Sequence, residues 1–198
     1  LYCNNFPSTE IFNGKGLMLG GSIDSNSKFQ FTDGDLSALL IDNFPFWVNL
    51  QRVPDLKTAL MKDWDKKLEN ICEQSLNANI TSITGVPSWM LVLFHKMIER
   101  SGAKNILEIW PNLELFMHGG VNFGPYVNQF ERLIPSQKMN YLECYNASEG
   151  FFGIQDQKYS KDLLLMLDYG IFYEFIPLAE YNKDEAKAIP LADVKLDE

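Results

Sequence analysis

The stretch Asn79-Ile80-Thr81-Ser82-Ile83-Thr84-Gly85-Val86-Pro87-Ser88-Trp89-Met90-Leu91-Val92-Leu93-Phe94 changes its hydrophobic period in the middle, and the fold follows from that change. Residues 79–86 are rich in β-branched side chains and reach a glycine at Gly85, which predicts a strand. Pro87 suits the first helical position, where its missing N–H costs no hydrogen bond, and the spacing predicts a helix from Ser88 to about Arg100. Ser101-Gly102 closes it, since glycine readily supplies the left-handed backbone of a helix end. Trp89, Met90, Leu91, Val92, Leu93, Phe94, Met97 and Ile98 make this helix apolar nearly all round, the pattern of a helix buried between layers.

Outward from this unit the same alternation repeats. Upstream, Lys15-Gly16-Leu17-Met18-Leu19 reads as a buried strand running into Gly20-Gly21-Ser22 and a polar stretch from Asp24 to Asp35. The paired glycines lack the Lys-Ser/Thr of a phosphate loop, so a plain turn is favoured. From Pro54 to about Ser75, Leu56, Leu60, Trp64, Leu68, Ile71 and Cys72 recur at helical spacing, with Lys57, Lys62, Lys66, Lys67, Glu69 and Glu73 assigned to other faces. Downstream come a strand from Leu113 to His118 stopping at Gly119-Gly120, a helix from Pro125 to about Leu133, and a strand from Asn140 to Tyr145. Strand, helix, strand, helix, strand predicts an α/β fold, a parallel or mixed sheet with covering helices. Near the end, 163–167 and 171–176 flank Asp168-Tyr169-Gly170 and read as a C-terminal hairpin.

At 198 residues and 46% hydrophobic composition the chain folds around a core of its own size, as one domain or part of one. A formal net charge of −9 argues against nonspecific binding to nucleic acid or anionic membrane. Part of that charge, Asp184, Glu185, Asp193, Asp197 and Glu198, sits in the tail. Cys3, Cys72 and Cys144 form no CxxC pair and read as reduced, mostly buried thiols of a cytoplasmic protein. No signal peptide pattern and no apolar run of the roughly 18 residues needed to span a membrane is present. The opening Leu1-Tyr2-Cys3-Asn4-Asn5-Phe6-Pro7 reads as the interior of a longer protein.

Ligands of a parallel sheet bind beyond the carboxyl ends of its strands, where loops gather side chains and helix starts offer amides. Three such ends carry unusual residues: Gly85-Val86-Pro87-Ser88-Trp89, His118-Gly119-Gly120-Val121 and Tyr145-Asn146-Ala147-Ser148-Glu149-Gly150. The last puts an aromatic, small residues, a hydroxyl and a carboxylate in one turn. Small residues admit a planar ligand to the backbone, an aromatic covers its face, and a carboxylate can hold magnesium. An ordinary turn in which Ser148 and Glu149 cap the next segment accounts for the same composition.

These stretches, with Ile83-Thr84-Gly85-Val86-Pro87-Ser88-Trp89, Ile109-Trp110-Pro111-Asn112-Leu113, Tyr145 to Phe152 and Phe172-Tyr173-Glu174-Phe175-Ile176-Pro177, resemble in order and spacing the auxin-responsive acyl acid amido synthetase family. That family, found in plants and with bacterial members, belongs to the adenylate-forming superfamily of acyl-CoA synthetases, adenylation domains and luciferases. The resemblance implies a ligase that uses ATP and magnesium to join a small-molecule carboxylic acid to an amino acid. It implies that Glu149 reaches the magnesium of ATP and is the catalytic residue, and that Tyr145, Asn146, Ala147 and Ser148 line the nucleotide. Gly119 and Gly120 pass beside the adenine. Val86, Trp89 and Met90 wall the acid pocket, with Gly150 and Phe151 at its border.

The family's Ser/Thr/Gly-rich phosphate loop, its Arg-Tyr-x-x-Gly-Asp motif and its mobile C-terminal domain are not in this sequence. Residues 1–198 are therefore expected to be a single partial domain, inactive alone. A coenzyme A thiol as acceptor, or a non-catalytic nucleotide-binding domain, are the alternatives. His118 reads as a hydrogen-bonded structural residue, His95 as core or interface, and Glu174 as an edge-strand residue free to pair with a lysine.

Overall fold

Each strand read from the sequence as buried takes its place in one mixed sheet. The computed structural model describes residues 1–24, 33–158 and 160–195, so most of the polar stretch between Asp24 and Asp35, and Asp197 and Glu198 of the tail, lie outside the described residues. The chain divides into two units, Leu1–Leu165 and Met166–Glu198.

The strands of the first unit are β1 (Lys15–Leu19), β2 (Ile23–Asp24), β3 (Asp33–Gly34), β4 (Arg52–Val53), β5 (Ile80–Gly85), β6 (Leu115–His118), β7 (Asn140–Ala147), β8 (Gly150–Ile154) and β9 (Leu164–Leu165). Its helices are α1 (Tyr2–Asn5), α2 (Leu36–Asp42), α3 (Leu56–Ala59), α4 (Trp64–Ser75), α5 (Pro87–Ser101) and α6 (Val127–Leu133). Seven strands form the sheet in the order β4-β1-β5-β6-β7-β8-β9, while β2 and β3 pair separately. β4, β1, β5, β6 and β7 run parallel to one another, β8 is antiparallel to β7, and β9 is antiparallel to β8.

Register explains the core. Leu17, Ile83 and Phe116 are direct partners across β1, β5 and β6, so their side chains share one face. There they join Leu68 and Ile71 of α4, Met90, Leu93, Phe94 and Met97 of α5, and Phe130 of α6 in one buried cluster. Each such side chain contributes about 1.5–3 kcal/mol by leaving water. On the opposite face Leu115 and Leu142 pack with Tyr2. Trp110 is buried, its indole N–H donating to the Ser75 carbonyl at 2.9 Å, which gives the Trp110-Pro111-Asn112 turn a packing role.

Several expectations are corrected. The helix expected from Pro54 to Ser75 is two helices, because Asp55 and Asp63 each cap a new start by accepting from the amides of Thr58 and Lys66. α5 is not buried all round: Val92 is 49% exposed and His95 is exposed, its ring nitrogen bonded only locally to the Leu91 carbonyl. Cys3 is exposed, whereas Cys72 is buried; all three thiols are free. The strand from Asn140 runs on through Asn146 and Ala147, and 150–154 form an additional strand.

The C-terminal pair forms between different partners from those expected. Leu164–Leu165 joins the main sheet beside β8. In the second unit, β10 (Glu174–Phe175) pairs antiparallel with β11 (Ile189–Pro190), and the Tyr173 hydroxyl donates to the Met166 carbonyl at 3.0 Å. Among the described residues no helix is long and apolar enough to cross a membrane.

Candidate functional site

The register Leu19–Gly85, Gly85–His118, His118–Glu143 aligns the carboxyl ends of β1, β5 and β6 on one edge of the sheet, while β7 runs on past it to Ala147. Four loops leave that edge, and three are those singled out from the sequence.

Val86 is the residue before α5, extended at φ −72° and ψ 132°, with Pro87 opening the helix and no side chain capping it. Gly120 faces it: a Cβ built on Gly120 would lie 3.5 Å from Val86 Cγ2, and its φ of +81° is one that favours glycine. Gly119 packs on the backbone of the next strand, where a Cβ would lie 2.3 Å from the Cys144 carbonyl oxygen. Val86, Gly120, Gly119 and Cys144 of β7 thus form one contiguous edge. Trp89, one turn into α5, is 37% exposed and meets Trp64 edge-on at 5.3 Å. Met90 is not on this edge: it is fully buried in the core, turned toward Gly85.

Tyr145 to Phe152 is the tip of a hairpin. Asn146 pairs with Phe151 and Ala147 with Gly150, leaving Ser148 and Glu149 as a two-residue turn, both exposed. Tyr145 is 54% exposed and its ring lies 5.3 Å from that of Phe152. Gly150 and Phe151 are half-buried strand residues on the returning arm. The hairpin presents an aromatic face and a carboxylate, not the strand-to-turn ending read from the sequence.

Among the described residues no group of three or more His, Cys, Asp or Glu is placed to hold a metal. A lone exposed carboxylate such as Glu149 fits magnesium in its usual protein setting, where one or two carboxylates suffice because substrate phosphates and water complete the shell.

The buried polar groups beneath the edge are held by packing. His118 is 3% exposed, stacks on Phe123 at 4.1 Å, and has no partner for Nδ1, so burial pushes its pKa down to about 4. It is neutral and packed, a structural residue as expected, but Nδ1 makes no hydrogen bond. Burial, with Glu143 nearby, pushes the Cys144 thiol up; its Sγ lies 3.4 Å from the His118 carbonyl.

The fourth loop, Gly20-Gly21-Ser22, is not an anion cradle. Its amides are already used, Gly21 N–H donating to Ser37 Oγ at 2.9 Å and Ser22 N–H to Asp35 Oδ2 at 2.8 Å. Its carbonyls face Lys67, which is 1% exposed and shares the apolar stripe, not one of the other faces expected for it. Burial pushes the Lys67 ammonium down to about 8, with Asp35 opposing. Lys67 was identifiable: with Trp64, Leu68 and Ile71 it falls at i+3, i+4 and i+7 of the apolar stripe.

A separate cleft of about 180 Å³, lined by Tyr2, Phe6, Asn140, Gln155 and Lys158 among others, opens at the start of β7 and holds none of these residues. A family profile described as the GH3 family N-terminal domain matches residues 17–139, covering the ends of β1, β5 and β6 but stopping short of the Tyr145 hairpin. No curated protein matches the chain.

Proposed function

The chain belongs to the GH3 family, the auxin-responsive acyl acid amido synthetases of the adenylate-forming superfamily, and from that premise we propose that it forms one wall of a site that activates a carboxylic acid with ATP and passes the acyl group to an amino acid. The observation that supports the reading is the run of contacts along one sheet edge from Val86 through Gly120 and Gly119 to Cys144, the residue before the Tyr145 hairpin. In this reading the chain is a partial domain of a cytoplasmic enzyme, with the phosphate loop, ribose-binding aspartate and C-terminal domain supplied elsewhere in the protein.

In the first step a carboxylate oxygen bonds to the α-phosphorus of ATP as the bond from that phosphorus to the β-phosphate oxygen breaks, releasing pyrophosphate. In the second, the amine nitrogen bonds to the acyl carbon, the acyl–phosphate C–O bond breaks, AMP leaves and the amine loses a proton. Gly120, whose missing side chain would meet only Val86 Cγ2, lets the adenine lie against the backbone; Gly119, packed on the Cys144 carbonyl, passes beside it, and Tyr145, Asn146, Ala147 and Ser148 border the nucleotide. Val86 and Trp89 offer an apolar wall to the acid, with Gly150 and Phe151 at its margin. Met90 acts from beneath, by filling the core under Gly85.

Glu149 would hold magnesium brought with ATP, whose charge neutralises the phosphates. Loss of an electrostatic group of this kind costs on the order of 3 kcal/mol, roughly a hundredfold or more in rate. Glu149→Ala in the full-length enzyme is therefore expected to cut acid-dependent ATP–pyrophosphate exchange at least that far with the fold intact. Exchange close to the wild-type rate overturns the assignment.

A further inference from the structure

α4 begins beside the acid side of the site, and its first turn touches that side twice. Trp64, its first residue, packs edge-on against Trp89, ring centroids 5.3 Å apart and planes at 61°. One turn on, the Lys67 ammonium donates to the Gly20 carbonyl at 2.8 Å and to the Gly21 carbonyl at 2.5 Å. That turn continues β1 directly past Leu19, whose carbonyl oxygen lies against Gly85, the residue before Val86.

Packing alone does not ask for a lysine here. Leu68 and Ile71, its neighbours on the stripe, fill the core with hydrocarbon, and a buried ammonium is costly unless its hydrogens are accepted. The two carbonyls accept them, so the lysine fixes the direction of consecutive peptide groups at the strand end. Asp35 and Ser37 hold the same turn by its amides, and Gly21 is pressed onto Asp35 so closely that a Cβ would lie 2.3 Å from the Asp35 Cβ. The turn is held from both sides. Trp89 is the more open partner, 37% exposed and braced from behind by Trp64.

We propose that the first turn of α4 sets the width of the acid pocket, with Trp64 and Lys67 acting as positioning residues through Trp89 and through Gly20-Gly21. The inference rests on Trp89 being a wall of that pocket. Trp64 limits how far the indole of Trp89 can tilt away from the acid, and Lys67 limits how far the neighbouring turn can spread. Trp64 is a specificity device for the apolar body of the acid, Lys67 a positioning residue for the pocket as a whole, and neither touches ATP.

The test is acid-dependent pyrophosphate exchange by the full-length enzyme with benzoate, phenylacetate and 2-naphthoate. Trp64→Ala is expected to shift the kcat/KM ratio of 2-naphthoate over benzoate at least tenfold toward the larger acid, with the KM for ATP unchanged, the size of effect a hydrophobic pocket gives for one or two carbons. Trp64→Phe shifts it less, in the same direction, and covers the case in which the alanine variant fails to fold. Lys67→Met raises the KM for every acid about tenfold, and Lys67→Arg recovers part of it because its donors can still reach the carbonyls. Near-UV circular dichroism of the tryptophans reports whether the Trp64–Trp89 pair is lost.

Equal effects on acid and ATP, or an unchanged acid ratio in both Trp64 variants while Trp89→Ala alters it, overturn the proposal. An unchanged ratio in Trp89→Ala, or no exchange with any of the three acids, overturns the pocket reading beneath it instead.

Discussion

Gly119→Ala puts the site geometry to a quantitative test. The new Cβ would stand 2.3 Å from the Cys144 carbonyl oxygen, a backbone atom in the neighbouring strand that cannot rotate away. Relief requires β6 and β7 to part by about 1 Å at their ends, and overpacking of this kind costs about 1–3 kcal/mol. For a chain of this size each kcal/mol lowers Tm by about 2–4 °C. The same movement carries Gly119-Gly120 away from Tyr145, so the KM for ATP should rise roughly tenfold, the equivalent of about 1.4 kcal/mol. Gly102→Ala is the control: its φ of +72° makes alanine cost about 1–2 kcal/mol, but nothing lies within 4 Å and it ends α5 far along the chain from the strand edge. Thermal unfolding and nucleotide titration of both variants separate the effects. A Gly119→Ala protein with wild-type Tm and wild-type ATP affinity would refute the packing and the site together.

Acid sensitivity should carry a signature of His118. Its folded pKa of about 4 lies below the ordinary 6.5, so between those values the unfolded chain binds a proton that the folded one does not, and stability falls as pH drops through that window. At about 1.4 kcal/mol per unit the loss is at most on the order of 3 kcal/mol, and His118→Leu should flatten the urea midpoint against pH; parallel curves contradict this. Asp63→Ala removes the cap that accepts from Lys66 N–H at 3.1 Å and should cost about 1 kcal/mol by urea unfolding, with α4 fraying in hydrogen exchange. Trp110→Phe removes the indole bond to the Ser75 carbonyl, which keeps the Ala78 N–H at 3.1 Å, so the lost hydrogen bond should cost about 0.5–1.5 kcal/mol, where no loss would mean the bond is not formed.

The legible parts of this fold are those where period and punctuation agree. In 79–102 a β-branched run, Gly85, Pro87 and Gly102 all act locally, and strand and helix fall where they predict. The break between α3 and α4 was hidden because Leu56, Leu60 and Trp64 continue one stripe across it, and two aspartate side chains decide the matter by capping. The β7–β8 hairpin escaped because Ser148-Glu149 is a weak turn pair and Gly150 and Gly153 dilute the strand signal. Lys67 is hard to place because lysine is ordinarily a surface residue, although its spacing from Trp64 puts it on the apolar stripe.

The site was legible to the same extent. That parallel strands share a carboxyl edge is topology, so the convergence of Val86, Gly119 and Gly120 with β7 could be foreseen. Which side chains reach that edge is a matter of helix rotation and rotamers. Met90, adjacent in sequence to Trp89, points into the core, and the partners Trp64 and Phe152 are set by contacts between elements that no local pattern encodes.

The central claim is best tested by incubating the full-length enzyme with a carboxylic acid, an amino acid, magnesium and ATP and identifying the products by mass spectrometry. The account predicts an amide together with AMP and pyrophosphate, formed only when acid and amino acid are both present, and formed at least about a hundredfold more slowly by Glu149→Ala. An acyl-coenzyme A thioester formed in preference when coenzyme A is added, ADP in place of AMP, or amide formation undiminished in the Glu149 variant would contradict it.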